Sequence, residues 1–250
     1  MSGTAPRLGV VVVAAGSGER LAARHPKALV RLAGRPLLAH ALAGLAAAGL
    51  PPPVVVHTPG QGEAFALAAG DLAIRGLVPG GATRTASVAA GIAALPDDVE
   101  VVAIHDAARP LTPPAVIGAA VAAVTDAPDV LAAAPGVAVA DTLKRTLAGE
   151  VLGTVDRTGL VGVQTPQVFP RGVIDRVIER ISDPVEPMAE ATDDLALVER
   201  LRDRGELEGR IVIVPGSVWA RKVTYPSDLA LLEVLGQHAA PDAAGIGGGR

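Results

Sequence analysis

The sequence predicts an α/β fold, a mostly parallel twisted sheet with helices on both faces. Three observations carry this. Short apolar, largely β-branched runs recur along the chain, several without polar alternation, as strands covered on both faces require. Stretches of helical length separate them and often open on Pro or a small polar residue. The two kinds alternate, as in a parallel sheet built through crossovers. In order, Leu8–Ala14 reads as a strand from its run of valines, Pro36–Ala48 as a helix opened by proline, Pro53–His57 as a strand and Gln61–Ala69 as a helix. Thr85–Leu95 reads as a helix capped by Thr85, Val99–His105 as an apolar strand, Pro113–Val124 as another proline-opened helix, and Val130–Ala134 as a strand. Val161–Thr165 reads as a strand, Pro170–Ile181 and Asp193–Arg204 as helices, and Arg210–Val214 as the last strand; Pro226-Ser227-Asp228 marks one further helix start. Residues 141–160 break the pattern: polar, β-capable and interrupted at Ala148-Gly149, they predict a hairpin arm projecting from the body. Residues 1–236 are expected to form one domain, and the small, unpatterned residues 237–250 a disordered tail.

Composition narrows the function classes. The chain has 250 residues, 50% of them hydrophobic and 19% charged. A chain of this length buries roughly 70–75% of its unfolded surface, so a large core of Ala, Val and Leu is available. The 22 basic and 26 acidic residues give a formal net charge of −4. No basic run is long enough for a nucleic-acid footprint, so no nucleic-acid partner is expected. The absence of cysteine removes disulfides, thiolate metal sites and a cysteine nucleophile together. No apolar stretch reaches the roughly 20 residues of a membrane span, and Leu8–Ala15 is too short and too soon interrupted for a signal peptide. A cytoplasmic location without membrane association is the expectation. The five histidines, at 25, 40, 57, 105 and 238, form no metal-ligand spacing. Of the 22 basic residues only Lys27, Lys144 and Lys222 are lysines, so these three positions call for a reason.

The chemistry-bearing motifs sit where strands end, which is where open α/β sheets bind ligands. Ala14-Ala15-Gly16-Ser17-Gly18-Glu19-Arg20-Leu21 follows the first strand, with Lys27 shortly after. Glycines after a buried strand let the backbone approach an anion and turn N–H groups inward, and two cations add fixed charge. Glycine spacing alone is equally compatible with a tight turn; the cations tip the reading toward phosphate. The dinucleotide fingerprint fails, because Leu21 stands where it needs glycine, and the P-loop Gly-Lys-Ser/Thr is missing. Pro79-Gly80-Gly81-Ala82-Thr83-Arg84-Thr85-Ala86-Ser87 is a second Gly-rich turn into a helix, read either as a phosphate or base contact or as an ordinary capped helix start. His105-Asp106-Ala107-Ala108-Arg109-Pro110 ends an interior strand. There Asp106 and Arg109 could serve a ligand or simply pair with each other, and His105 could be a buried histidine with satisfied partners. Thr142, Lys144, Arg145 and Arg157 place hydroxyls and cations on the arm, where a solvated face is the plainer reading. Phosphate-binding backbone combined with cations points to transfer chemistry on a phosphorylated substrate.

With these residues in order, the chain closely resembles the 2-C-methyl-D-erythritol 4-phosphate cytidylyltransferases of the non-mevalonate isoprenoid pathway. The resemblance spans residues 8–236 and rests on AAGSGERL with PKA, GGATRTASV, HDAARP, DTLKR, TVDRTGL, QTPQ, TDD and KVTYPSDL, in family order. It implies a Rossmann-like nucleotidyltransferase core and a β-arm that joins two copies into a homodimer and completes the partner's site. It also implies Mg²⁺-dependent reaction of CTP with the sugar-alcohol phosphate. Carried over by motif, Arg20 and Lys27 stabilise charge at the α-phosphate, while Arg157, from the partner's arm, and Lys222 position the attacking phosphate. Ala14, Ala15, Gly16, Gly18, Gly81, Ala82, Ser87 and Ala107 hold the nucleotide. Asp106, Arg109, Thr142, Thr165 and Thr192 line the sugar-phosphate side. The metal would be held mainly by the CTP phosphates, with Asp106 the candidate protein ligand. Three positions depart from the common family pattern: Ala82, where many relatives carry a polar side chain beside the nucleotide, Ala28, and Leu195 after TDD. Ribitol 5-phosphate or another sugar phosphate is the alternative acceptor within the same chemistry.

Overall fold

A computed structural model of the chain describes residues 5–16, 18, 21, 25–183, 188–189 and 191–237. Arg20 and, beyond Gln237, the tail expected to be disordered lie outside the described residues. The strands are β1 (Leu8–Val13), β2 (Arg31–Leu32), β3 (Arg35–Pro36), β4 (Val54–His57), β5 (Gly76–Pro79), β6 (Val101–Asp106), β7 (Val130–Ala138), β8 (Leu143–Leu147), β9 (Glu150–Val155), β10 (Val161–Val163), β11 (Gln167–Pro170) and β12 (Arg210–Pro215). The α-helices are α1 (Leu37–Ala47), α2 (Gly62–Ala69), α3 (Arg84–Ala93), α4 (Pro114–Thr125), α5 (Arg171–Ile181), α6 (Asp194–Asp203) and α7 (Pro226–Gly236).

The main sheet has eight strands in the order β10-β7-β11-β6-β1-β4-β5, with β12 along β7. Strands β5, β4, β1 and β6 run parallel, as do β7 and β12, while β11 and β10 are antiparallel to their neighbours. The unbroken valines of β1 are explained by burial on both faces. Val11 packs with Val88 and Ile92 of α3 and, beyond them, with the side of α5 and α6. Val10 and Val12 pack with Leu38 and Leu42 of α1 and Ile117 of α4 on the other side.

Three elements escape the sequence pattern. Strand β5 is a half-buried edge of four residues with Gly and Pro at its ends, too short and too punctuated to show a period. Strand β11 hides in Gln167–Pro170 because the expected strand Val161–Thr165 ends at Val163, and Gln164–Pro166 leave the sheet before the chain re-enters beside β6. Pro170 serves as its last residue and as the N-cap position of α5, so the helix starts where proline predicted. The hairpin β2–β3 is only two residues deep. The cap of α3 also moves: Thr83, not Thr85, accepts from Ala86 N–H at 3.1 Å, because Thr85 turns inward and is buried.

The arm forms as read. Strands β8 and β9 make a two-stranded sheet that pairs with no other strand. Ala148 and Gly149 have φ of 48° and 88°, the left-handed pair that closes a tight hairpin with the right twist.

Candidate active site

A cavity of about 610 Å³ opens at the carboxyl ends of β1 and β6, between the loops that follow them. Strand β1 sits between β4 and β6, so the chain departs from it in both directions, and this switch point leaves a crevice above its end. Ala14, Ala15, Gly16 and Gly18 form one wall. Gly18 has φ +75°, and a Cβ there would lie 3.0 Å from Cβ of Lys27. Only glycine lets this loop fold so closely onto the 3-10 turn Lys27–Leu29, whose first N–H donates to the Gly16 carbonyl. Lys27 and Ala28 both line the cavity.

The opposite wall is the start of α3, with Gly81, Ala82, Thr83, Arg84 and Ser87. The Ser87 hydroxyl accepts from Gly81 N–H at 3.1 Å and donates to the Thr83 carbonyl at 2.9 Å, cross-linking this turn. A Cβ at Gly81 would stand 2.5 Å from Ala86 Cβ, so the turn has no room for another side chain there. Ser87 therefore shapes the loop on which Gly81 and Ala82 line the cavity.

Asp106 closes the floor at the end of β6, with Ala107 beside it. It does not pair with Arg109. Its Oδ2 accepts from Lys222 Nζ at 2.6 Å, and its Oδ1 stands 3.6 Å from Arg84 Nη2. Burial alone would raise its carboxyl, but Lys222 and Arg84, with Arg109 behind them, hold it well below the usual carboxylate range. Asp106 is thus an anion at neutral pH, placed between cations. Val223, fully buried, donates its N–H to the Ala108 carbonyl at 2.8 Å and seats Lys222 against this floor.

Arg109 does not line the cavity wall. Its guanidinium spans two backbone carbonyls, Ala220 at 2.7 Å and Val163 at 3.1 Å. It therefore ties the loop after β6 both to the segment that leads into Lys222 and to the strand that leads into Thr165. Thr165 is buried; its hydroxyl accepts from Asp106 N–H at 3.1 Å and lies 3.0 Å from His105 Nδ1. His105 is 1% exposed and only half satisfied, since its Nε2 has no hydrogen-bond partner. Burial lowers its pKa to about 4, so it is neutral near pH 7.

Several further residues that the motifs single out are not gathered into this cavity. Thr192 is exposed just before Asp193, whose side chain caps α6 by accepting from Ala196 N–H at 3.0 Å. Thr142 and Arg157 are exposed on the arm, where Arg157 Nη1 donates to the Val139 carbonyl at 3.2 Å. Sequence reading also missed working residues. Gln164 clamps Ser217 by donating to its carbonyl at 2.7 Å and accepting from its N–H at 3.0 Å, and Gln167 accepts from the N–H groups of Asp194 and Leu195. Both glutamines stand in the QTPQ motif, but a motif does not show which distant backbone they serve.

The family model for 2-C-methyl-D-erythritol 4-phosphate cytidylyltransferase (IspD) matches residues 8–237. A protein of that name from Frankia casuarinae is 43% identical over 234 residues, covering 92% of this chain and 81% of its own length. A bifunctional enzyme IspD/IspF from Clavibacter michiganensis is 46% identical over 237 residues, covering 92% of this chain, which spans 54% of that protein. The crystal structure of 2-C-methyl-D-erythritol 4-phosphate cytidylyltransferase from Thermus thermophilus superposes with a TM-score of 0.72 at 30% identity, covering 92% of this chain and 99% of that one. The chain belongs to the 2-C-methyl-D-erythritol 4-phosphate cytidylyltransferase family.

Proposed function

We propose that the protein transfers CMP from CTP to 2-C-methyl-D-erythritol 4-phosphate in isoprenoid precursor synthesis, forming 4-diphosphocytidyl-2-C-methyl-D-erythritol and pyrophosphate. The observation that carries this reading, beside family membership, is the convergence of the Gly16–Gly18 loop, Lys27, Asp106 and Lys222 on one cavity. An oxygen of the substrate phosphate attacks the α-phosphorus of CTP. The bond from that phosphorus to the bridging oxygen breaks, and pyrophosphate leaves with the electron pair. A phosphate monoester, with its second pKa near 6, is already largely ionised at neutral pH, so no strong base is needed. Among the described residues lining the cavity there is neither histidine nor cysteine, which agrees with such a mechanism. The protein's work is alignment and charge stabilisation. Lys27 stabilises the charge that develops on the α-phosphate, a role the family motif gives to Arg20 as well; Lys222 draws in the attacking phosphate, and Gly81 and Ala82 meet the base through their backbone.

A divalent cation fits this donor set. Asp106 is the single carboxylate among the described residues lining the cavity, and no group of three His, Asp or Glu side chains is placed to hold a metal among them. Mg²⁺ needs only one or two carboxylates when phosphates supply its other ligands. Asp106 would hold it beside the triphosphate, where the ion neutralises phosphate charge. We place Arg157 and Thr142 in the cavity of a second copy, because within their own chain they stand exposed on an arm that carries Leu147, Val151 and Leu152 more than half exposed. The reading is therefore a cytoplasmic homodimer joined by its arms.

Purified protein incubated with CTP, Mg²⁺ and 2-C-methyl-D-erythritol 4-phosphate is expected to release pyrophosphate, with ribitol 5-phosphate in a parallel reaction as a poorer acceptor. Release no faster than from a Lys27→Ala control would overturn the reading; preference for ribitol 5-phosphate would replace the acceptor.

A further inference from the structure

Four charges stand in a row, three of them lining the cavity and the fourth, Asp194, outside it. Asp194 Oδ1 accepts from Arg84 Nη1 at 2.8 Å; Arg84 Nη2 stands 3.6 Å from Asp106 Oδ1; Asp106 Oδ2 accepts from Lys222 Nζ at 2.6 Å. One guanidinium is thus shared unequally between two carboxylates. The carboxylate it bonds is the one outside the cavity. Arg84 is the first residue of α3, where a cation opposes the helix dipole, so the helix itself offers no reason for it. Asp194 is the first residue of α6, with its side chain 1% exposed, and its second oxygen, Oδ2, has no hydrogen-bond partner. Arg84 is the only cation in an ion pair with it among the described residues.

The Lys222 ammonium has three donors, one of them on Asp106, and the tighter that bond the less its charge and reach serve an incoming phosphate. How firmly Asp106 keeps Lys222 depends on how well its charge is balanced from the other side, and Arg84 stands there at a distance that Asp194 sets. We propose that Arg84 and Asp194 are positioning residues: by dividing one guanidinium between Asp194 and Asp106, they set how readily Lys222 turns from Asp106 to the attacking phosphate. This rests on the reading of Lys222 as the group that draws in that phosphate. Neither residue need touch a substrate atom to act in this way.

The two ends of the row act in opposite directions. Arg84→Gln leaves Lys222 as the main counter-charge of Asp106 and tightens that pair. Asp194→Asn keeps an oxygen for Arg84 to bond but removes the charge that holds it back, so Arg84 closes on Asp106 and loosens Lys222. A charge-assisted hydrogen bond gained or lost is worth about tenfold in an equilibrium. The KM for the sugar-alcohol phosphate is therefore expected to rise about tenfold in Arg84→Gln and to fall in Asp194→Asn, with the KM for CTP within about twofold in Asp194→Asn, whose side chain does not line the cavity. A general field effect would move both KM values together.

A second measurement needs no turnover. Protein labelled with ¹⁵N-lysine carries only three side-chain ammonium groups, at positions 27, 144 and 222. In the protein without substrate, hydrogen exchange at the Lys222 ammonium is expected to slow in Arg84→Gln and to quicken in Asp194→Asn, with Lys144 on the arm unchanged. Should Arg84→Gln fold poorly, Arg84→Lys keeps a cation but loses the fork that reaches both carboxylates, and the same directions are expected of it. Unchanged exchange at Lys222, or a change of the same sign in both variants, overturns the proposal even if the enzyme is active. Opposite changes in a protein that transfers no CMP would leave the charge row standing and remove only the catalytic reading.

Discussion

The cavity and the arm carry residues for one proposed reaction, yet they are built differently. At the cavity and just behind it, polar side chains are held from within the chain: Ser87 by its own loop and Asp106 by Lys222 in the lining, Thr165 between Asp106 and His105 and Arg109 across two carbonyls behind it. On the arm, Arg157 reaches one nearby carbonyl, Lys144 pairs with Thr154 across the hairpin at 2.6 Å, and the apolar side chains of Leu147, Val151 and Leu152 face outward. A wall cross-linked from within presents fixed charge at no cost in reorganisation. A hairpin with exposed leucine and valine is incomplete by itself and matches a surface made to be covered. The difference separates a cavity that one chain builds by itself from what we propose a second copy must bring.

The sharpest test of the cavity is Lys27→Arg. A compact ammonium placed against the Gly18 turn delivers point charge that a wider planar guanidinium does not duplicate. Turnover is expected to fall on the order of 10²–10³-fold with the fold intact by circular dichroism. Near-parental turnover would mean that lysine at this position reflects composition and not chemistry.

The next effect concerns stability. His105 is neutral when folded, because burial lowers its pKa to about 4 from 6.5. On unfolding it binds a proton below pH 6.5. Its contribution is therefore complete above pH 6.5, is lost as pH falls from 6.5 to 4, and changes no further below that. For a shift of this size the loss is about 3 kcal/mol. Denaturant unfolding at pH 7 and pH 4 should show the parent losing that much more than His105→Gln. Parallel pH dependence in the two would show that the floor of the cavity does not depend on an uncharged ring.

The smallest effect tests the arm. Arg157→Ala and Lys27→Ala are each expected to be nearly inactive alone. If arms are exchanged, a mixed dimer keeps one intact cavity served by one intact arm. Equal mixing, with half the dimers mixed and one working site in each, restores about a quarter of the parental activity. No recovery after refolding the two together would return Arg157 to its own chain and break the contrast between the two regions.

How far the sequence foretold this depends on whether a residue's partner is near in the chain. Strand β1 is legible because burial on both faces leaves an uninterrupted valine run, and the arm because Ala148-Gly149 interrupts polar β-capable sequence. Strand β11 is not, since its pairing with β6 lies across the sheet and its proline signals a helix. The cations of the site were legible as charge, but their duties were not. Arg109 reads either as a ligand contact or as a partner for Asp106, three residues away, and in the structure donates to carbonyls 54 and 111 residues distant. Asp106 takes Lys222 from 116 residues away. Spacing along the chain carries residue type and local turn; it does not carry which end of the chain returns.

That return has a mechanical side. Leu21, Leu32 and Leu37, from the stretch around Lys27, pack with Val223, next to Lys222, and with Leu232 of α7 in one apolar cluster. The two lysines that line the cavity thus rest on a single footing. Leu232 is fully buried in that cluster, so a change of side-chain volume there is felt under both lysines without altering either charge. Helix α7, none of whose residues lines the cavity, thus shares an apolar cluster with the residues that flank Lys27 and Lys222.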